Sequence, residues 1–302
     1  MRQSNSPSIS ALERKQAASR STWVSVLVNF LLCMMQFLTG VWAASAALIA
    51  DAIHSLSDLV SDTIVLIANK FSDAPPDEEH PYGHYRFENV ASLFIGLLLI
   101  GIGTSMIWHG ANILLEGSSH LPNVHYIALV TAGVVLIAKE CLFRYLLAIG
   151  KKVESTMLIV NAWHARSDSL SSLIVFIAIL AHLAGITWAD IAASIIVGAM
   201  ISKVGIRFTW DAIQELSDQA ANKQEIAHIK EIISSTPGVM GFHKLRTRKS
   251  GDFILVEVDL NFPSEMTVKE AHSIAFKVSQ RLRESGKVIE VLTHFDPIDE
   301  HV

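Results

Sequence analysis

The chain has 302 residues, 51% hydrophobic and 18% charged, with a mean hydropathy of +0.39 and a formal net charge of −5. That composition is too apolar for an ordinary soluble protein of this length, and the mild negative charge argues against a nucleic-acid partner. Apolar residues crowd the chain before about residue 210, so a membrane domain followed by one small soluble domain is expected.

In chain order, residues 1–21 are polar and basic (Arg2, Arg14, Lys15, Arg20) and read as a cytoplasmic N-terminal segment without a cleaved signal peptide. Six apolar segments follow at about 22–44, 47–70, 88–114, 124–148, 156–182 and 188–209, each near the roughly 20 residues that cross a bilayer. Lys and Arg flank alternate connections: Lys70 and Arg86 after the second segment, Arg144, Lys151 and Lys152 at the fourth, Lys203 and Arg207 at the sixth. The other three connections carry neither residue, which predicts a multi-pass protein of the cytoplasmic (inner) membrane with both termini inside. Trp42, Trp108 and Trp188 suit the outer interface. Cys33 and Cys141 both lie in apolar runs and imply no disulfide framework.

Residues 211–302 read as a soluble domain. A helical stripe over 223–235 ends at Pro237-Gly238, and two alternating stretches, 239–249 and 253–262, flank a turn at Ser250-Gly251-Asp252. A second helix over 267–285 stops at Gly286, and a last strand covers 287–295. The order α-β-β-α-β predicts an α+β, ferredoxin-like domain behind a transport domain of six transmembrane helices over 22–210.

The chemistry concentrates in the second and fifth segments. Both follow A-x-H-x-x-S-D-x-x-S, in Ala52, His54, Ser57, Asp58, Ser61 and again in Ala162, His164, Ser167, Asp168, Ser171. Four residues of helix separate each His from its Asp, about 6 Å along the axis and on one face. Such groups inside a membrane are costly and ask for a function. The two copies run in opposite directions through the bilayer, as in inverted-repeat transporters. Two imidazoles and two carboxylates suit a tetrahedral Zn2+ site, with cobalt, cadmium, iron and manganese left open. The same groups bind protons, so metal and proton compete there. The bland alternative is hydrogen-bonded polar glue between helices.

Other polar residues are less specific. Asp51 and Asp62 extend the stripe of the second segment as lining of a pathway or as hydrogen-bonding caps. Arg166 points away from His164 and Asp168. Lys139, Glu140 and Arg144 are expected to form ion pairs toward the cytoplasmic end of the fourth segment, and His109, His125, His182 and His228 to be interfacial or surface residues. Asp77, His80 and His84 form a possible surface chelate in a loop shaped by Pro81 and Gly83. In the tail, His294 and Asp296 share a strand face, while His243, Glu257 and His272 are scattered candidates. The basic residues Lys244, Arg246, Arg248 and Lys249 read as a solvated or membrane-facing surface.

Taken together, these motifs, with Gly241-Phe242-His243-Lys244-Leu245-Arg246-Thr247-Arg248 and His294-Phe295-Asp296-Pro297, resemble the cation diffusion facilitator family, close to its bacterial zinc and iron efflux branch, over about residues 20–298. The resemblance implies a homodimeric divalent-cation efflux transporter with no catalytic cofactor. It makes His54, Asp58, His164 and Asp168 the transport site, and Asp77, His80 and His84 a second site. A binuclear cytoplasmic site at the dimer interface would draw on His243, Glu257, His272, His294 and Asp296. Arg86 and Asp218 stand where the family has an inter-subunit charge interlock. Two positions depart from the best-known bacterial zinc branch: His54 stands where that branch has Asp, and Glu257 where it has His. The His/Asp pairs on both helices resemble zinc-selective members. A membrane metal sensor is the alternative function. A zinc protease would need an open coordination position and an H-E-x-x-H motif, which the chain lacks.

Overall fold

The computed structural model describes residues 11–298 except 73, 75, 117–122, 153–155 and 252. Six long helices come first: α1 (Ala11–Trp42), α2 (Ala46–Ser72), α3 (Phe87–Glu116), α4 (Ile127–Lys152), α5 (Thr156–Leu183) and α6 (Ala189–Leu216). They form a membrane helical domain. Among the described residues, stretches of α1, α3, α5 and α6 are long and apolar enough to span a bilayer by length and composition; α2 and α4 carry the acidic and basic groups that lower their hydropathy. The helix α6 continues past the expected domain boundary at 210 to Leu216. By compactness the chain divides into one unit of residues 1–64 and 95–206 and another of 65–94 and 207–302.

In the first unit, the repeat seen in sequence extends beyond its polar residues. Gly40 lies so close to the start of α2 that an added Cβ would meet Ile49 N at 3.0 Å, and at Gly150 an added Cβ would meet Ile159 N at 3.0 Å. The same sequence offset separates Gly40 from Gly150, Ile49 from Ile159, His54 from His164 and Asp58 from Asp168. The repeated unit is therefore a helical hairpin, α1–α2 and α4–α5, whose glycine permits close backbone approach at the bend. Helices α3 and α6 also meet through glycine: a Cβ on Gly103 would lie 2.5 Å from Gly198 O, and one on Gly205 would lie 2.7 Å from Gly96 O. Small residues at a crossing let backbones approach where lipid gives no hydrophobic drive for association.

One cap was not foreseen. Asp190, fully buried at the start of α6, accepts hydrogen bonds from Ser45 Oγ (2.5 Å) and Ala46 N (2.7 Å) at the N-terminus of α2. A carboxylate there satisfies orphan N–H groups and meets the positive end of the helix dipole. His182, expected at an interface, is instead 6% exposed, and its Nε2 accepts from Val124 N at 3.4 Å.

The second unit holds α7 (Lys223–Ser234), β1 (Gly241–Ser250), β2 (Phe253–Pro263), α8 (Val268–Glu284) and β3 (Val288–Ile298). The expected α-β-β-α-β order is present, with β3 three residues longer at its end. The sheet order is β1-β2-β3, with β2 antiparallel to β1 and parallel to β3 through the α8 crossover. Alternate residues of β2 (Ile254, Val256, Val258, Leu260, Phe262) are buried against Ile229 and Ile233 of α7 and Ala275, Val278 and Leu282 of α8. The opposite parity, Glu257, Asp259 and Asn261, therefore faces away from this core. Both helices open with capping boxes, Asn222/Glu225 and Thr267/Glu270.

Candidate metal centres

In the membrane unit, His54 and Asp58 of α2 and Asp168 of α5 each bring one ligand atom into a group lying within 4.8 Å of one another. His54 Nδ1 stands 3.9 Å from Asp58 Oδ2. These distances exceed direct hydrogen bonds and leave room for a cation between nitrogen and oxygen donors. His164 does not join the group; it is exposed, one turn before Asp168 on the same helix. Three of the four expected ligands are thus assembled and the fourth lies at the edge. Arg166 points elsewhere, its guanidinium 4.8 Å from the Phe143 ring centroid of α4 and 5.5 Å from that of Trp163.

Of the two roles expected for Asp51, lining the approach or accepting hydrogen bonds, the geometry fits the second: it is sealed, at 1% exposure. Gln36 Nε2 donates to its Oδ2, as does Ser172 Oγ at 2.7 Å, while Ser171 Oγ donates to Oδ1 at 3.4 Å. Lys139 departs from expectation. It makes no pair toward the end of α4 but is 3% exposed, with Nζ 3.8 Å from Asp51 Oδ1 and donating to Ser55 Oγ (3.1 Å) and Ser172 Oγ (2.8 Å). Among the described residues, the expected surface pairing is present between Arg144 and Glu140, at 2.8 Å. A buried lysine needs a countercharge more than a surface one does, and Asp51 supplies it. Asp62 belongs to α2, but its side chain lies outside those described.

The loop triad also assembles. Asp77 Oδ1 accepts from the backbone N–H of Glu79 (3.0 Å) and His80 (2.6 Å), a turn that aims its carboxylate back over the loop. Those backbone bonds, that of His80 first, hold the Asp77 carboxyl below the usual carboxylate range. His84 Nε2 lies 3.3 Å from Oδ2, and His80 Nδ1 lies 3.5 Å from Oδ1. Gly83 turns the chain between the two histidines with φ 84°.

In the tail, the structure brings together His243, Asp259 and Asp296, again within 4.8 Å. Strand register explains this. Asp259 sits opposite His243 on one side and His294 on the other. His243 Nε2 is 2.8 Å from Asp296 Oδ2 and 3.7 Å from Asp259 Oδ2, and His294 Nε2 is 3.3 Å from Asp296 Oδ1. With His243 Nδ1 against Asn261 Oδ1 at 2.8 Å, Nε2 is the nitrogen facing the two carboxylates, a donor set suited to a divalent cation. Glu257 is two residues along the same strand face, opposite Arg246, and His272 is on the exposed side of α8; neither enters the group. Asp259 was missed. Its signal was available in its alternation with Glu257 and its place opposite His243 in the hairpin.

Lys244 is the unexpected neighbour. A bulge between His243 and Arg246 gives it φ 49° and brings Nζ to 3.0 Å from Asp259 Oδ2. That hydrogen bond chiefly raises the Lys244 pKa and lowers that of Asp259. Arg86 and Asp218 form an ion pair within one chain. Asp218 follows the end of α6 with φ 62°, and Arg248 Nη1 approaches the same carboxylate at 4.0 Å.

His/Asp donors from two copies of one helical hairpin thus meet in a helical membrane domain that is followed by a small α+β domain. Residues 22–217 match the cation efflux transmembrane domain, and residues 221–298 match the cytoplasmic domain of cation efflux proteins. The chain belongs to that family, whose members are divalent-metal efflux proteins. It is 35% identical to the uncharacterized transporter MJ0449 of Methanocaldococcus jannaschii, over 91% of this chain and 97% of that one. It is 29% identical to the manganese efflux system protein MneP of Bacillus subtilis (96% and 99% covered) and 28% to the magnetosome protein MamB of Magnetospirillum gryphiswaldense (87% and 88%).

Proposed function

We propose that this protein exports a divalent cation, zinc foremost, across the cytoplasmic membrane in exchange for protons, working as a homodimer with both termini in the cytoplasm. The observation that carries the reading is the convergence of His54, Asp58 and Asp168 from α2 and α5. His164, one turn from Asp168, completes an N2O2 set when the cation is bound. A metal requires neutral imidazole and ionised carboxylate, so protons arriving at these residues expel it. The imidazoles favour zinc over harder ions. The loop triad, and His243, Asp259, Asp296 and His294 in the tail, hold cytosolic metal that reports its concentration to the transport domain.

Manganese is the second reading, favoured by the similarity to MneP along nearly the whole chain and by the two carboxylates in the site. Reconstituted vesicles loaded with a metal-sensitive dye separate the two. Zinc uptake faster than manganese uptake, and driven by an opposing pH gradient, is expected. Zinc flux indifferent to the gradient would remove the antiport step, and faster manganese flux would reassign the cargo. In the same assay, His54→Asp should shift preference toward manganese.

A further inference from the structure

The membrane unit contains a second polar cluster that ligand chemistry does not use. Gln36, Asp51, Ser55, Lys139, Ser171 and Ser172 are each at most 8% exposed, and they come from four helices: α1, α2, α4 and α5. We infer that this cluster is a positioning layer for the transport site: Lys139 and Asp51 together set the spacing of α2 and α5, and so the shape of the cavity into which the cation fits. The inference rests on the reading of His54, Asp58 and Asp168 as that site.

The connectivity makes the case. The site is split between α2 and α5, so its dimensions depend on how these two helices are held. Lys139 Nζ donates to Ser55 on α2 and to Ser172 on α5. Asp51, on α2, accepts from Ser171 and Ser172 on α5. Ser172 is a relay, accepting from the ammonium while donating to the carboxylate. Each tie leads directly to a ligand-bearing turn. Ser55 follows His54 in the chain, Asp51 precedes His54 by one turn, and Ser171 Oγ also donates to the carbonyl of Asp168 at 2.8 Å. Gln36 adds α1 as a brace by donating to Asp51.

Polar glue alone could join any two helices anywhere along their length. Here the glue is a charge pair one helical turn from the ligands, on the Ala46 side of α2. A buried ion pair is a poor source of stability compared with apolar packing, but it fixes register. Partners that orient metal ligands from behind change metal affinity by about 10- to 100-fold when removed.

Lys139→Met or Asp51→Asn strands the opposite charge in the membrane and risks misfolding. The informative variant is Ser55→Ala/Ser172→Ala, which keeps both charges and the weaker Ser171 bond but removes both ties to Lys139 and the shorter serine tie to Asp51. It is made in a His84→Ala/His243→Ala background, so that binding reports the membrane site. Zn2+ and Cd2+ are titrated into the purified full chain in detergent, and KM and maximal flux are measured in vesicles. The expected result is a Zn2+ Kd and KM raised about 10- to 100-fold, an altered Zn2+/Cd2+ ratio, and maximal flux and Tm close to the parent. Parent-like Kd, KM and ion ratio in a folded protein would overturn the positioning role. A fall in Tm and maximal flux with unchanged KM and ion ratio would also overturn it, leaving the layer purely structural. Asp58→Ala is the control for the underlying reading: if it binds Zn2+ like the parent, the site assignment fails and the positioning role with it, whereas lost binding confines any failure to the serine ties.

Discussion

At the residue scale, the sharpest contrast is between residues of one type doing different work. Asp51 and Asp58 lie on the same helix, yet Asp51 is saturated by Gln36, Ser171, Ser172 and Lys139 while Asp58 faces a histidine and a second aspartate. A carboxylate already satisfied by donors is a poor ligand, because a cation would have to displace them. Sequence spacing places both on a helix but carries no information on which neighbours each meets. For that reason the repeated pair was legible and the buried pair with Lys139 was not. Lys244 illustrates the same point in the tail. Its ammonium occupies the Asp259 carboxylate that a tail-bound cation would use, so Lys244→Met should tighten zinc binding at the tail severalfold. Titration of the purified chain checks this, with Asp259→Asn expected to weaken binding instead.

At the scale of elements, helix ends and crossings are where single changes matter. The capping box of α7 joins Asn222 and Glu225, and Lys287 Nζ reaches Glu225 Oε1 at 2.7 Å. Asn222→Ala should cost the tail about 1 kcal/mol, read as a lower midpoint in denaturant. The Lys287 hydrogen bond, then the bond from Asn222 N, depress the Glu225 pKa. The folded state therefore binds fewer protons than the unfolded chain through that range. The stabilisation is complete above the ordinary glutamate range and is lost as pH falls through the depressed value. Glu225→Gln should flatten the acid limb of Tm against pH. In the membrane unit, Gly198 approaches α3 so closely that an added Cβ would lie 2.9 Å from Gly103 O. Gly198→Leu should lower stability by about 1–3 kcal/mol or more, seen as a reduced Tm in detergent. The order of the tail elements was readable because alternation of period two and stripes of period 3.6 are local. The bulge at Lys244 and the Asp190 cap were not, since each depends on contacts remote in sequence.

At the scale of the whole molecule, the proposed transport requires that all four ligands act on one cation. Asp58→Ala and His164→Ala should each reduce metal flux in vesicles to background while leaving the tail folded by its own thermal transition. Retention of flux in His164→Ala would restrict the site to the three assembled residues. The duplicated hairpins were visible in sequence from two copies of a rare polar pattern, and the matching glycines at the bends extend that relation into backbone geometry. The Arg86–Asp218 pair closes within one chain, because the turn after α6 carries Asp218 to the loop before α3.

The duplicated hairpins are not equivalent. Where the first copy has Asp51, the second has Asn161, and the position in the first copy that corresponds to Lys139 is Asn29. Two perfectly matched halves would be related by a simple rotation and would open at equal cost until an ion or a gradient distinguished them. A salt link present on one side of the pseudo-twofold alone removes that degeneracy. Separating α2 from α4 at the Ala46 end breaks a buried ion pair for which the repeat-related positions offer no counterpart. Opening the two hairpins by the same movement therefore costs different energies, a difference written into the covalent structure itself.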